Sequence, residues 1–339
     1  MKKLPIEKID MFFQILSKEY PIYLPVDNKS KVAEFTKYED GKEWSEQLNT
    51  VRSAKDFFFP QVENMMRFET DGKKIEVYDM YEEKEDFIIF GVRACDVRSF
   101  SILDSVYLAE PVDSFYKNRR DHGIVISMAC TRPNTTCFCE NFSIDPTNPE
   151  GDVTAWRTNE AVYFQANNDK GEKVLSKVAR LLVEDSNEKV QEQKKKTKEI
   201  LNRLPFHNLD LSYFKEENTM EIFQSKLWET MSESCLGCGT CTFVCPTCQC
   251  YDIREYNTGN GIERFRCWDS CMYSDFTKMA HGNPRKSQVE RFRQRFMHKL
   301  VYAPTNNFGV YGCVGCGRCV EKCPVSMNII KVIKTLEEK

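Results

Sequence analysis

One spacing of cysteines occurs twice in the chain and limits its fold more than any other feature. Each copy has three cysteines at CxxCxxC spacing, followed after three further residues by a Cys-Pro pair. The copies are Cys235, Cys238, Cys241, Cys245 and Pro246, then Cys313, Cys316, Cys319, Cys323 and Pro324. Bacterial ferredoxins bind [4Fe–4S] clusters with this spacing. The repeat therefore predicts two such clusters.

The two predicted clusters exchange one ligand each. In two-cluster ferredoxins, the fourth cysteine of a run ligates the cluster of the other run. The first predicted ligand set is therefore Cys235, Cys238, Cys241 and Cys323. The second predicted ligand set is Cys313, Cys316, Cys319 and Cys245. Structural zinc is the alternative, although zinc usually takes cysteines in pairs and has no use for a third closely spaced cysteine or the proline.

A long segment, residues 246–312, separates the two runs and favours a helical variant of the ferredoxin fold. It contains another possible group of four thiols, which is Cys248, Cys250, Cys267 and Cys271. The first two adjoin the first run, so they are also explained by packing around it. The sequence leaves this group unassigned.

Apolar patterns in the N-terminal part predict an α/β domain. Apolar residues at helical spacing within residues 5–20 predict an amphipathic helix. Residues 87–92 and 124–126 are continuous apolar runs, typical of strands covered on both faces, while residues 73–78 alternate like a half-buried strand. Asp96 is a predicted N-cap for a helix over residues 97–108.

The predicted fold class is therefore mixed, or α+β. An α/β N-terminal domain, residues 1–215, precedes an α-helical ferredoxin-like dicluster domain, residues 216–339. The charged segment between Glu184 and Glu199 is predicted to be a solvated helix or linker near this boundary.

Four further cysteines follow the predicted strands of the N-terminal domain. Cys95 and Cys130 lie just beyond two apolar runs, and open α/β sheets place their sites at such strand ends. Cys137 and Cys139 lie in the next loop and complete a set of four soft ligands. We therefore predict a third [4Fe–4S] cluster at these four cysteines. Buried packing cysteines and a zinc site are the alternatives.

Charge and composition exclude several classes of partner. The formal net charge is −3 and the isoelectric point is about 6.0, so no global attraction to nucleic acid or to an anionic membrane is expected. No secretory signal pattern and no long apolar run are evident, so a cytoplasmic protein is expected. A well-placed Gly-x-Gly-x-x-Gly loop and a P-loop are also lacking, so we expect no nicotinamide or nucleotide site in this chain. The histidines are too few and scattered for a catalytic set, and no nucleophile partner is apparent, so we expect no catalytic residues.

A basic segment, residues 285–299, precedes the second cysteine run on a predicted helix. It is interpreted either as a docking surface for an acidic partner or as a solvated helix face whose Phe292 and Phe296 pack inward. The four histidines are scattered and are expected to be structural or surface residues.

Several stretches resemble the A subunit of anaerobic sulfite reductase and the related beta subunits of hydrogenase and sulfur-reductase complexes. The resemblance covers nearly the whole chain. It is found in the segments Ser53-Ala54-Lys55-Asp56 to Phe59-Pro60, Val92-Arg93-Ala94-Cys95-Asp96, Cys137-Phe138-Cys139, Cys245-Pro246-Thr247-Cys248-Gln249-Cys250-Tyr251, Trp268-Asp269-Ser270-Cys271-Met272, Phe276 to Ala280, and Arg291 to Lys299 leading to Cys313-Val314-Gly315-Cys316-Gly317-Arg318-Cys319. The Cys-Phe-Cys and Trp-Asp-Ser-Cys elements are the more specific ones.

This resemblance implies an electron-transfer subunit without substrate chemistry of its own. It would relay electrons from a flavin-containing, NADH-oxidising subunit to a siroheme-containing subunit that reduces sulfite to sulfide. A hydrogenase or sulfur-reductase beta subunit is the alternative, and a non-redox zinc-binding scaffold is the alternative of another class.

Overall fold

The computed structural model describes residues 1–47, 49–82, 84–307 and 309–338. These residues form two β-sheets with helices packed around them. The strands are β1 (Lys2–Pro5), β2 (Ile22–Asp27), β3 (Ala33–Lys37), β4 (Val62–Asp71), β5 (Lys74–Asp79), β6 (Phe87–Val92), β7 (Gly123–Met128), β8 (Val153–Arg157), β9 (Ala161–Ala166), β10 (Val183–Glu184), β11 (Tyr251–Asn257) and β12 (Gly261–Trp268).

The helices vary in length, and several short ones lie beside the cysteine runs. They are α1 (Ile9–Leu16), α2 (Ala94–Tyr107), α3 (Ser114–His122), α4 (Asp169–Lys177), α5 (Glu188–Leu201), α6 (Thr219–Gln224), α7 (Leu227–Glu233), α8 (Thr240–Phe243), α9 (Gln288–Met297), α10 (Ala303–Asn306), α11 (Arg318–Glu321) and α12 (Ile329–Glu337). A π-helical turn, His298–Tyr302, joins α9 to α10. Within the described residues, no helix has the length and apolar composition needed to cross a membrane.

The larger sheet has eight strands in the order β10-β1-β9-β8-β7-β6-β2-β3. Its central strands β2, β6, β7 and β8 are parallel, and every residue of β6 and β7 is buried. Helices α1 and α4 cover one face, while α2 and α3 cover the other. This three-layer arrangement explains the continuous apolar runs, because strands covered on both faces have no polar side.

Most of the predicted N-terminal elements are confirmed, with two corrections. The amphipathic helix is α1, and the two apolar runs are β6 and β7. Strand β5 forms where alternation predicted it, but all of its residues are exposed, because it lies at the edge of the smaller sheet. Asp96 is not an N-cap: α2 begins at Ala94, and the Asp96 carboxylate pairs instead with the distant Arg318.

The smaller sheet joins the two parts of the chain. Its order is β11-β12-β4-β5, so strands from both sides of residue 215 hydrogen-bond to each other. Arg266 on β12 is buried, and its guanidinium contacts the carboxylates of Glu63 on β4 and Asp113. The division at 215/216 stays a prediction, and this sheet shows that the parts on either side of it are interleaved.

Another apolar core is built mainly by α7, α9 and α12, and Ile102 and Phe142 of the N-terminal part also belong to it. Trp228 contacts Phe292, which contacts Phe296 one helical turn further on. Both phenylalanines are buried, as predicted for the inward face of the basic segment. The β11–β12 hairpin lies within the segment between the two cysteine runs, so that segment is not purely helical. The fold is mixed α/β with a C-terminal dicluster domain, as predicted.

Candidate metal centres

The first predicted ligand set comes together in space. Burial raises the pKa of the Cys235 thiol, and the nearby charges of Cys241, Cys238 and Cys323 raise it further. The backbone N–H of Gly237 points at the Cys235 sulfur, with 3.4 Å between nitrogen and Sγ. Cys323 thus lies with the first run although it belongs to the second, as the crossed assignment requires.

The second predicted ligand set surrounds one enclosed cavity. Cys245, Cys313, Cys316 and Cys319 all line it. Burial raises the pKa of Cys313 to about 12, and the charges of Cys245 and Cys316 contribute in the same direction. The N–H of Gly315 is 3.4 Å from the Cys313 sulfur, which repeats the contact made by Gly237 in the first run.

The four N-terminal cysteines are also neighbours. Cys95 lies in the first turn of α2 beyond β6, and Cys130 lies beyond the end of β7. Burial raises the pKa of Cys139, and the charges of Cys130 and Cys137 raise it further. Cys139 in turn contributes to the raised pKa of Cys95. The structure therefore brings all four thiols to the carboxyl edge of the parallel strands.

The donor atoms of these three sets are all thiols, the ligands that [4Fe–4S] clusters take. A [4Fe–4S] cluster binds each thiolate to a different iron. The donor atoms present therefore suit iron–sulfur clusters.

The N-terminal and second thiol sets are packed directly against each other. The N–H of Phe138 donates to the carbonyl oxygen of Gly315, at 2.9 Å. A Cβ added to Gly315 would lie 2.5 Å from the Phe138 backbone, and one added to Gly317 would lie 2.5 Å from the Thr136 carbonyl oxygen. Burial raises the pKa of Cys137, and the charge of Cys316 raises it further, so thiols of the two sets lie near each other.

Comparison with known proteins also indicates [4Fe–4S] clusters in the C-terminal part of the chain. Residues 234–327 match the 4Fe-4S dicluster domain family. The chain is 30% identical over 347 aligned positions to the sulfhydrogenase 2 subunit beta of Pyrococcus furiosus, an alignment that covers 99% of this chain and 98% of the relative. The chain belongs to the sulfhydrogenase beta-subunit family. No solved structure matches it.

The sequence resembled both a sulfite reductase subunit and a hydrogenase or sulfur-reductase beta subunit, and the family match supports the second. The dicluster domain shows that the chain carries [4Fe–4S] clusters. The matched relative is a hydrogenase-type beta subunit, which was the alternative, whereas nothing in the comparisons specifically supports a sulfite reductase.

The basic segment does not present all its cations to a partner. Arg295 and Lys299 are buried, with exposed fractions of 3% and 6%. Arg295 Nε donates to the Cys241 sulfur at 2.9 Å, and Lys299 Nζ donates to the hydroxyl oxygen of Thr247 at 2.8 Å. These two cations therefore face the thiol sets, and a docking role for the segment is left to its other basic residues.

Two functional neighbours of the thiols were missed by sequence reasoning. Lys55 is buried, and its Nζ donates to the Cys248 carbonyl oxygen at 2.9 Å. Arg318 is also buried and binds the Asp96 carboxylate. Lys55 lies in a segment of resemblance and Arg318 lies within the second cysteine run, but the partner of each is distant in the chain, so no local pattern signals the contact.

Proposed function

We propose that the chain is an electron-transfer subunit of an oxidoreductase complex of the hydrogenase or sulfur-reductase type. It passes electrons one at a time along three [4Fe–4S] clusters, held by the first, second and N-terminal cysteine sets. Each cluster takes one electron from its donor and gives it to the next acceptor, without making or breaking a bond at this chain. No residue of the chain is assigned a catalytic role.

The contact between the Cys137-Phe138-Cys139 loop and the second cysteine run carries this proposal. Backbone atoms of the two loops touch at Phe138 and Gly315, so no side chain or solvent layer separates them there. The second set in turn includes Cys245 from the first run. The three thiol sets therefore form a continuous series, which is the arrangement needed for electron relay over short steps.

The choice of complex rests on the matched relative. This relative is a sulfhydrogenase subunit, which favours a hydrogenase or sulfur-reductase partner. The finer predictions from the resemblance are a flavin-containing, NADH-oxidising donor, a siroheme-containing acceptor, sulfite reduction and a cytoplasmic location. They rest on the resemblance and stay predictions.

Metal analysis of the anaerobically purified chain tests the relay. Three clusters require at least about twelve irons and as many acid-labile sulfides per chain. A brown protein that bleaches on reduction supports the proposal. A colourless protein that contains zinc without sulfide overturns it and would establish the zinc scaffold instead.

Purification of the intact complex from its native source tests the type of partner. A tag on this chain should retain a nickel-containing subunit if the complex is of the hydrogenase type. Retention of siroheme without nickel would replace this assignment with sulfite reductase. Reduction of sulfite by pyridine nucleotide with the isolated chain alone would overturn the role as a non-catalytic relay.

A further inference from the structure

A cavity of about 220 Å³ lies beside the second cysteine set and is lined by three thiols that belong to none of the predicted sets. These are Cys248, Cys250 and Cys271, called here the pocket thiols. The cavity is enclosed by the segment after the first cysteine run, by α2 and by the end of α9 with its π-helical turn. Its size leaves room for a group that the three thiols would hold in common.

The pocket thiols form one cluster of neighbours. The side chains of Cys250 and Cys271 hydrogen-bond to each other, which lowers the pKa of Cys250. The charge of Cys248 also acts on Cys250. Cys267, the fourth cysteine of the unassigned group, behaves differently: it lies on β12, where its charged neighbours are Arg254, Asp252 and Asp269.

Two buried cations line the same cavity without a carboxylate partner. Within the described part of the chain, neither Arg295 nor Lys299 makes a salt bridge, and Arg295 Nη1 has no hydrogen-bond partner at all. Burying a cation without a carboxylate partner is costly, so such a cation normally has another negative group nearby. Thiols of the first and second sets already face both cations, and an anionic iron–sulfur cluster held by the pocket thiols would add to this counter-charge. Both cations also act electrostatically on Cys271.

We propose that this cavity holds a fourth [4Fe–4S] cluster, ligated by Cys248, Cys250 and Cys271. The fourth iron has no cysteine available and takes the imidazole of His298, which lines the same cavity. Three thiolates bound to three different irons need not converge on one point.

This cluster would extend the proposed relay, and the inference rests on that function. The Cys248 side chain hydrogen-bonds to Cys245, a predicted ligand of the second cluster. The fourth cluster would therefore exchange one electron directly with the second, again without any change of bonding. Val106 of α2 and Asn306 of α10 line one side of the cavity, and Val106 is exposed. The fourth cluster would therefore lie near the surface, where electrons could enter or leave the chain.

Iron and sulfide analysis of three single variants of the full chain tests the inference. The wild-type chain should contain about sixteen irons. Cys250→Ala and Cys271→Ala should each lose about a quarter of the iron and of the sulfide. Cys267→Ala is the matched control, because it removes a cysteine of the same group that does not line the cavity, and it should retain the wild-type content.

The iron that remains in each variant reports whether the chain is still folded. Retention of about twelve irons in Cys250→Ala shows that the other clusters are intact and that the loss is local. An unchanged iron content in both cavity variants overturns the fourth cluster while leaving the proposed relay standing. Loss of zinc with no loss of iron does the same. A wild-type chain without iron and sulfide would instead overturn the proposed electron relay.

Spectroscopy of the reduced protein tests the fourth ligand. Pulsed electron paramagnetic resonance of the wild-type chain should show strong coupling of one cluster to an imidazole nitrogen. His298→Gln should remove this coupling and keep the iron content. If the coupling persists in His298→Gln, or is missing in the wild type, His298 is not the ligand and that part of the inference is wrong.

Discussion

Arg318 and Asp96 form a buried, bidentate ion pair that connects two thiol sets. Nη2 of Arg318 lies 2.7 Å from Oδ2 of Asp96, and both side chains are at most 3% exposed. Asp96 follows Cys95 of the N-terminal set, and Arg318 precedes Cys319 of the second set. The pair therefore fixes the distance between two predicted clusters.

Breaking this pair should destabilise the protein strongly. Asp96→Asn keeps the shape of the side chain but leaves the Arg318 charge buried without its counter-ion. Loss of one partner of a buried pair costs about 3–5 kcal/mol. We expect a correspondingly lower midpoint of anaerobic guanidinium unfolding, followed by tryptophan fluorescence and cluster absorbance.

A surface pair provides the control for this prediction. The ion pair of Arg157 with Glu46 is largely exposed on the Glu46 side. Glu46→Gln should cost at most about 1 kcal/mol, because exposed pairs are screened by water and salt. Equal effects of Asp96→Asn and Glu46→Gln would show that the buried pair does not hold the two parts together.

The close contact between the cysteine loops leaves no room for a side chain at Gly315. Gly315 has a φ of +59°, and an added Cβ would lie 2.5 Å from the Phe138 carbonyl carbon. Gly315→Ala should therefore combine backbone strain of about 1–2 kcal/mol with overpacking of about 1–3 kcal/mol. We expect lower stability and loss of the clusters on both sides of the contact, measured as iron per chain.

Gly237 is the matched control because it holds the same position in the first run. Its φ is +67°, but the nearest atom to an added Cβ is 3.7 Å away. Gly237→Ala should show the backbone strain alone and keep its iron. If the two variants lose the same amount of iron, the contact with Phe138 contributes nothing.

The sequence predicted the parts of the site that depend on local spacing. The cysteine runs and the fully buried strands β6 and β7 are each encoded within a few neighbouring residues. The crossed grouping of Cys323 with the first run followed from the known rule for the spacing. The sequence also predicted that Cys95 and Cys130 lie close together, because parallel strands end at the same edge of their sheet.

What the sequence did not predict depends on partners far apart in the chain. Asp96 has the residue type and position of an N-cap, and only the fold shows that Arg318 takes its carboxylate. Lys299 was interpreted as part of a docking surface or of a solvated helix face, but in the fold its Nζ donates to Thr247 beside the thiols. Strand β5 alternates in sequence, yet the edge of the smaller sheet leaves both its faces exposed.

Arg295 should raise the reduction potential of the first cluster. Its Nε donates to the Cys241 sulfur, and a cation beside a ligand sulfur favours the more negative, reduced cluster. Arg295→Met removes both the hydrogen bond to the sulfur and the positive charge beside it. If they favour the reduced form by about 1.4 kcal/mol, the potential falls by about 59 mV in an anaerobic titration followed by electron paramagnetic resonance.

Arg293→Met is the control for the potential measurement. Arg293 lies on the same helix, but its guanidinium donates to the Phe223 carbonyl oxygen and lies over the Phe223 ring. Its removal should leave every potential unchanged. A similar fall in both variants would indicate a general effect of net charge rather than the bond to Cys241.

The crossed ligand sets can be tested with the signal that Arg295→Met identifies. Because Cys323 lies beside Cys235, Cys323→Ala should remove the same resonance as Cys238→Ala, namely the one whose potential depends on Arg295. Cys319→Ala should remove a different resonance, because Cys319 is grouped with Cys313 and Cys245. Each variant should lose about four irons. If Cys323→Ala and Cys319→Ala remove the same resonance, each run holds its own cluster and the crossed assignment is wrong.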